Sequence, residues 1–89
     1  MEITEIRITL RNDDKLKAFV TMTLNNCFVI RGMKIIKGSK GIFVAMPNRR
    51  KPDGTYQDLV HPINRGTRQE MEDQIIAKYL EMLEAAPLT

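Results

Sequence analysis

Leu16-Lys17-Ala18-Phe19-Val20-Thr21-Met22-Thr23-Leu24 is the stretch from which the rest of the chain can be read. Leu16, Ala18, Val20, Met22 and Leu24 fall on one side of a period of two; Lys17, Phe19, Thr21 and Thr23 fall on the other. Successive side chains of an extended backbone point to opposite faces, so this alternation predicts a strand with one face in a core. Just upstream, Ile6, Ile8 and Leu10 alternate with Arg7, Thr9 and Arg11 in the same way. Between the two runs stands Asn12-Asp13-Asp14-Lys15, whose short polar side chains bond their own backbone and favour a turn. The two strands are therefore expected to pair as an antiparallel hairpin.

Working outward, Asn25-Asn26 is a second turn, because Asn tolerates positive φ. Cys27 to Ile30 is a continuous apolar run and predicts a central strand, with Cys27 a small buried or half-buried residue in it. Gly32 marks a bulge or a close backbone approach. Met33 to Lys37 reads either as a continuation of the strand or as a short helical turn. Gly38-Ser39-Lys40-Gly41 is a hairpin loop, and it lacks the G-x-x-x-x-G-K-[ST] spacing that wraps phosphates. Ile42 to Met46 is a fourth strand, apolar throughout, expected to be buried on both faces or at an interface, and Pro47 ends it. Lys51-Pro52-Asp53-Gly54 is a reverse turn, and Thr55 to Val60 is a fifth, shorter strand stopped by His61-Pro62. Thr67-Arg68-Gln69-Glu70 has the T-x-x-E form of a capping box and places a helix start at Thr67. Met71, Ile75, Tyr79, Met82 and Leu83 form an apolar stripe at helical spacing, with Glu70, Glu72 and Asp73 in the first turns and Pro87 as the stop. The expected architecture is α+β: a mostly antiparallel five-stranded sheet followed by a C-terminal amphipathic helix, in one domain over residues 1–89.

Charge is segregated along this scaffold. Residues 31–68 hold nine Lys/Arg against two acids, and residues 69–89 hold one Lys against five acids. The net charge of +3 conceals that asymmetry. Arg49-Arg50-Lys51, next to the Pro-Gly turn, is the densest point. Each guanidinium is a planar fork matched to phosphate oxygens, and Lys51 adds a compact charge, so a nucleic acid is the natural partner. A solvated loop that aids solubility is the plainer reading of the same residues. Arg31, Lys34, Lys37, Lys40, Arg65 and Arg68 are expected to gather near the loop if the strands are antiparallel neighbours. Tyr56 is placed either to stack on a base or to pack across strands.

Other chemistry has little support. His61 is the single histidine and Cys27 the single cysteine, which leaves no metal-ligand set and no internal disulfide. Asp53 and Asp58 read as a turn former and a solvated strand residue. No catalytic constellation, cofactor or small-molecule substrate is expected. No apolar run approaches the ~18 residues of a membrane span. The N-terminus reads as a strand rather than a signal peptide, and a cytoplasmic location is expected. A chain of this length buries only about 60–65% of its unfolded surface, so a dimer would add burial that the monomer lacks.

Gly41-Ile42-Phe43-Val44-Ala45-Met46-Pro47-Asn48-Arg49-Arg50-Lys51-Pro52-Asp53-Gly54, followed by Asp58-Leu59-Val60-His61-Pro62-Ile63-Asn64, resembles the signature of the stage V sporulation protein G (SpoVG) family. The opening Met1-Glu2-Ile3-Thr4-Glu5-Ile6-Arg7-Ile8, the run Lys17-Ala18-Phe19-Val20 and the run Phe28-Val29-Ile30 match it as well, so the resemblance covers nearly the whole chain. Arg31-Gly32 departs from it, where the family pattern has an Asp. The resemblance implies a small bacterial cytoplasmic protein that dimerises and binds DNA, and RNA as well, in gene regulation linked to septation and sporulation. It places nucleic-acid contact on Arg49, Arg50 and Lys51, with Arg65 and Arg68 at the helix start in a lesser role. The apolar strand Ile42, Phe43, Val44, Ala45 and Met46 is the expected dimer interface, since an uncovered strand edge invites pairing. The competing reading is a protein-interaction module of the division machinery that does not touch nucleic acid.

Overall fold

The computed structural model describes residues 2–85. Seven elements follow one another: β1 (Ile3–Leu10), β2 (Leu16–Leu24), β3 (Phe28–Gly38), β4 (Gly41–Ala45), β5 (Asn48–Arg50), β6 (Tyr56–Asp58) and α1 (Arg65–Ala85). β1 to β4 form one antiparallel sheet in sequential order. The first hairpin pairs Ile6 with Met22 and Ile8 with Val20, so the apolar phases of both strands share a face. Asp13 Oδ1 accepts the Lys15 backbone N–H at 3.0 Å and closes the turn between them. At the β2–β3 turn Asn25 and Asn26 both take positive φ, 49° and 55°, and the Cys27 N–H donates to the Leu24 carbonyl.

β3 is central and runs unbroken through residues 33–37, so the helical-turn alternative is excluded. The β2–β3 register slips between Val20 and Met22, opposite Gly32, whose φ is +84°. One extra residue on β3 is absorbed there as a bulge, which keeps Ile30 and Met33 both buried. Cys27, expected inside a strand, lies exposed in the turn that begins at Asn25.

The sheet holds four strands rather than five. The segment expected as the fifth strand is reduced to β6 and pairs only with β5, as a separate two-stranded ribbon. Pro47, buried at the end of β4, has no N–H to continue the ladder, so the chain leaves the sheet there.

α1 lies on the face built from Ile8, Ala18, Val20, Met22, Leu24, Ile30, Met33, Ile35, Val44 and Met46. Its contribution is Met71, Ile75 and Tyr79, with Met82 packed at the margin; Leu83, expected in the stripe, is exposed. Burying each such side chain stabilises by about 1.5–3 kcal/mol. The helix starts at Arg65, so the cap is Asn64 and not Thr67. Asn64 Oδ1 accepts the Thr67 N–H at 2.7 Å, while the Glu70 carboxylate accepts from Gln74 instead of turning back. The earlier start leaves the first turn without an acidic residue. Pro87 lies outside the described residues.

Candidate nucleic-acid interface

The basic run stands on a built element. Arg49 pairs with Gln57 and Arg50 with Tyr56 across the β5–β6 ribbon. The Lys51 N–H donates to the Thr55 carbonyl at 2.7 Å, and the Gly54 N–H donates to the Lys51 carbonyl at 3.0 Å. Gly54 has a φ of +90°, which that turn requires and a side chain would strain. Asp53 Oδ1 accepts from both the Thr55 hydroxyl, at 2.6 Å, and the Thr55 N–H, at 2.9 Å. Those two bonds, the hydroxyl's first, hold the Asp53 carboxyl below its ordinary pKa. The root is fixed by the Leu59 N–H donating to the Pro47 carbonyl at 2.7 Å and by the Asn48 amide donating to the Met46 carbonyl at 2.9 Å.

Arg49, Arg50 and Lys51 are all exposed. The salt bridges found among the described residues are Arg7–Glu5 and Arg68–Glu72, neither of them on the ribbon. Adjacent residues of a strand point to opposite faces, so Arg49 lies with Gln57 on one side, and Arg50 with Tyr56 on the other. This differs from a single fork: the ribbon presents a guanidinium from each face. Tyr56, 69% exposed, is no packing residue and stands directly across from Arg50.

The remaining cations do not all gather here. Gly32 approaches Pro47 at the ribbon root, which puts Arg31 nearby. Lys37 and Lys40 sit at the β3–β4 turn, about 14 Å along β4 from Ala45 at the usual rise per residue. Arg65 is exposed on the first helical turn, where the helix dipole adds positive potential. Arg68 is half-buried and its Nη1 lies 3.4 Å from the Glu72 carboxylate.

On β4 the expected interface residues divide. Val44 and Met46 are buried in the monomer's own core, Ile42 and Ala45 are half-buried, and Phe43 is exposed. The strand is thus covered on one face, not two. As the last strand of the sheet it leaves one backbone edge unpaired among the described residues. His61 is exposed, its Nδ1 3.0 Å from the Pro62 carbonyl, at the rim of an apolar cavity of about 210 Å³ between Met22, Phe28, Met46, Val60 and Met71. Among the described residues no group of three or more His, Cys, Asp or Glu is placed to hold a metal ion, and no helix is long and apolar enough to cross a membrane.

Sequence reasoning missed Asn64 as the cap, the pairing of Asn48–Arg50 with Tyr56–Asp58, and the separation of Arg49 from Arg50. The ribbon's signal was present: two short extended runs flank Lys51-Pro52-Asp53-Gly54. Strands of three residues are too short for periodicity to stand out.

The molecule is thus a small antiparallel sheet that carries one helix and projects a basic ribbon. The SpoVG family model matches residues 1–81. A protein of Anaeromyxobacter sp. (strain K) is 54% identical over 79 residues, covering 89% of this chain and 78% of that protein. One of Myxococcus xanthus (strain DK1622) is 50% identical over 86 residues, covering 97% and 87%. One of Staphylococcus aureus (strain MRSA252) is 42% identical over 88 residues, covering 98% and 88%. All three carry the name "Putative septation protein SpoVG". The chain belongs to the SpoVG family.

Proposed function

We propose that this chain is a bacterial nucleic-acid-binding regulator, linked to septation and sporulation, that contacts DNA and RNA phosphates through the β5–β6 ribbon. The observation that carries the reading is the exposure of Arg49, Arg50 and Lys51 on an ordered ribbon, away from both salt bridges of the described residues. A cation already neutralised by its own chain offers little to a phosphate; these three are available. A two-stranded ribbon is of a size that the major groove of duplex DNA admits, and guanidinium groups on both faces would meet both groove walls. Arg65 supports the same field from the helix start, and Arg68 does so less, being paired with Glu72. The septation link rests on the names of the relatives.

Two copies act together in this reading, joined along the free edge of β4 through Ile42–Met46, with backbone bonds as the contact. Three cations per subunit make six phosphate contacts and a log–log salt slope of roughly −5 on duplex DNA. Phosphate contact carries no sequence information. Base reading falls to Gln57, beside Arg49; Asn48 is held by its bond to the Met46 carbonyl and Gln69 by its bond to the Asp73 carboxylate.

The test is an anisotropy titration of a duplex against the wild type and Arg49→Ala/Arg50→Ala at several salt concentrations. The double variant is expected to bind more weakly across sequences, with the slope flattened by about 0.9 per lost contact. Unchanged affinity rules out this interface. The second reading, a protein-interaction module of the division machinery, is favoured by the exposed Phe28 and Val60, which line the 210 Å³ apolar cavity. Partner capture that is insensitive to salt, with no nucleic-acid shift, would select it.

A further inference from the structure

The helix covers one face of the sheet, and the other face has a composition of its own. By the register, Arg7, Thr9 and Arg11 of the β1 side, Lys17, Phe19 and Thr21 of β2, Lys34 and Ile36 of β3, and Phe43 of β4 all point away from α1. Phe19 lies directly beside Lys34 on the neighbouring strand, and Phe43 beside Ile36. Phe43 is 46% exposed although a ring on a sheet could fold under its neighbours. Its position is explained by Gly38. A Cβ built on Gly38 would meet Phe43 Cε1 at 3.0 Å, so the ring lies against bare backbone at the place where any side chain would lift it. One side of the ring is supported and the other is open. The Arg11 guanidinium carbon sits 4.9 Å from the Phe19 ring centroid, so the second aromatic is held beneath a cation.

Charge decides what such a face receives. Arg7, Arg11 and Lys34 stand against Glu5, which is already bridged to Arg7 at 3.0 Å, while the Lys17 ammonium donates to the Asp13 carbonyl at 2.8 Å in the β1–β2 turn. Two copies packed through this face would oppose like charges. A polyanion with flat apolar groups is complementary to it: phosphates for the cations, bases for the rings. A duplex hides its base faces, so the ligand must be single-stranded.

We propose that the helix-free face of the sheet is a platform for single-stranded nucleic acid, with one base stacked on the open Phe43 ring, another on the Phe19 ring through the Arg11 guanidinium that covers it, and phosphates held by Lys34 and its neighbours. It rests on the nucleic-acid reading above and extends it, dividing the labour between a ribbon that meets phosphates of either form and a face that takes only unpaired strands. The two rings are two strands and two residues apart, about 12 Å by standard sheet spacings, so they hold different bases. Edge-to-edge pairing through β4 leaves this face free and would double it.

The experiment uses the full chain with an oligo-dT, an oligo-U and a duplex as probes. Phe43→Ala and Phe43→Leu are each expected to weaken single-strand binding by between about fivefold and a hundredfold, with duplex affinity unchanged. The Leu variant keeps apolar cover on Gly38, and thermal melts confirm that both variants are folded. Phe43→Trp is expected to report the contact directly, its fluorescence quenched by the single strands and not by the duplex. Weakening of oligo-dT binding alone or of oligo-U binding alone by the Phe43 variants supports the platform and identifies which of the two strands it accepts. The proposal is overturned if the Phe43 variants bind single strands as the wild type does while Arg49→Ala/Arg50→Ala does not; the ribbon reading then survives. It is also overturned if Phe43→Ala abolishes a dimer and leaves single-strand affinity intact, since the face would then belong to a second copy. Failure of the wild type to bind any of the three probes removes both readings together.

Discussion

Asn64 illustrates how one side chain can shift an element by a turn. Its Oδ1 satisfies the Thr67 N–H, an otherwise orphaned donor, and the helix begins at Arg65. Asn64→Ala is expected to cost about 1 kcal/mol. For a domain of this size that lowers the midpoint of thermal unfolding by about 4–8 °C, while Thr67→Ala should have a far smaller effect. Equal losses from the two substitutions would contradict the assignment. The capping box at Thr67 was legible as a pattern, but Asn64 three residues earlier offers the same chemistry, and only the backbone path decides between them. Asp53 is a second case. Its folded pKa is depressed by its bonds to Thr55, so its contribution to the ribbon turn is present above the ordinary value of 3.8 and is lost as pH falls through the lower folded value. The Thr55 amide resonance, followed by NMR through that acid range, is expected to move as the carboxylate protonates. An unmoved resonance would show that the turn does not depend on that charge. Gly32 belongs to the same scale. A Cβ there would be 3.7 Å from the Pro47 Cβ, an ordinary contact, so Gly32→Ala is opposed by the positive φ and not by crowding. The expected cost is about 1–2 kcal/mol, read from chemical denaturation.

At the scale of elements, the strands with long alternating runs were readable and the short ones were not. β1 shows period two from Glu5 to Leu10, after the register shift between Ile3 and Glu5, and β2 shows it over 9 residues, enough to set both identity and facing. β3 contains apolar residues on both phases because the bulge at Gly32 moves the buried phase from Ile30 to Met33 and Ile35, and because Phe28 and Val29 at its start are apolar without being buried. β5 and β6 have 3 residues each, and their pairing comes from the turn between them. The separation of Arg49 and Arg50 onto opposite faces therefore needed the pairing first. For α1, the stripe was legible through Met71, Ile75, Tyr79 and Met82, and it failed at Leu83, which is exposed while its neighbour Met82 packs against the core. Ile75 is fully buried, and Ile75→Ala is expected to destabilise by about 2–5 kcal/mol. A loss below about 1 kcal/mol, measured by denaturant unfolding, would mean that α1 does not close the core.

At the scale of the molecule, the chain separates stability from recognition. Among the described residues the core cluster holds 13 buried hydrophobic residues and no buried polar or charged side chain is found, and the cluster lies on the helix side of the sheet and on α1. The ribbon, the free edge of β4 and the outer face contribute little to that core, so their residues can be altered without unfolding it. Charge is divided as well: seven of the nine cations of residues 31–68 lie on the sheet, the ribbon or their turns, Arg65 and Arg68 stand at the helix start, and the acids of residues 69–89 lie along the helix. Segregation of this kind orients the molecule in the field of a polyanion before contact. The measurement that tests this most directly is amide chemical-shift mapping of isotope-labelled protein titrated with a short DNA duplex at low salt. The expected result is perturbation concentrated at Asn48–Asp58 and at Arg65, fading as salt is raised. Perturbation confined to the acidic side of α1, with the ribbon amides unmoved at saturating duplex, would contradict it.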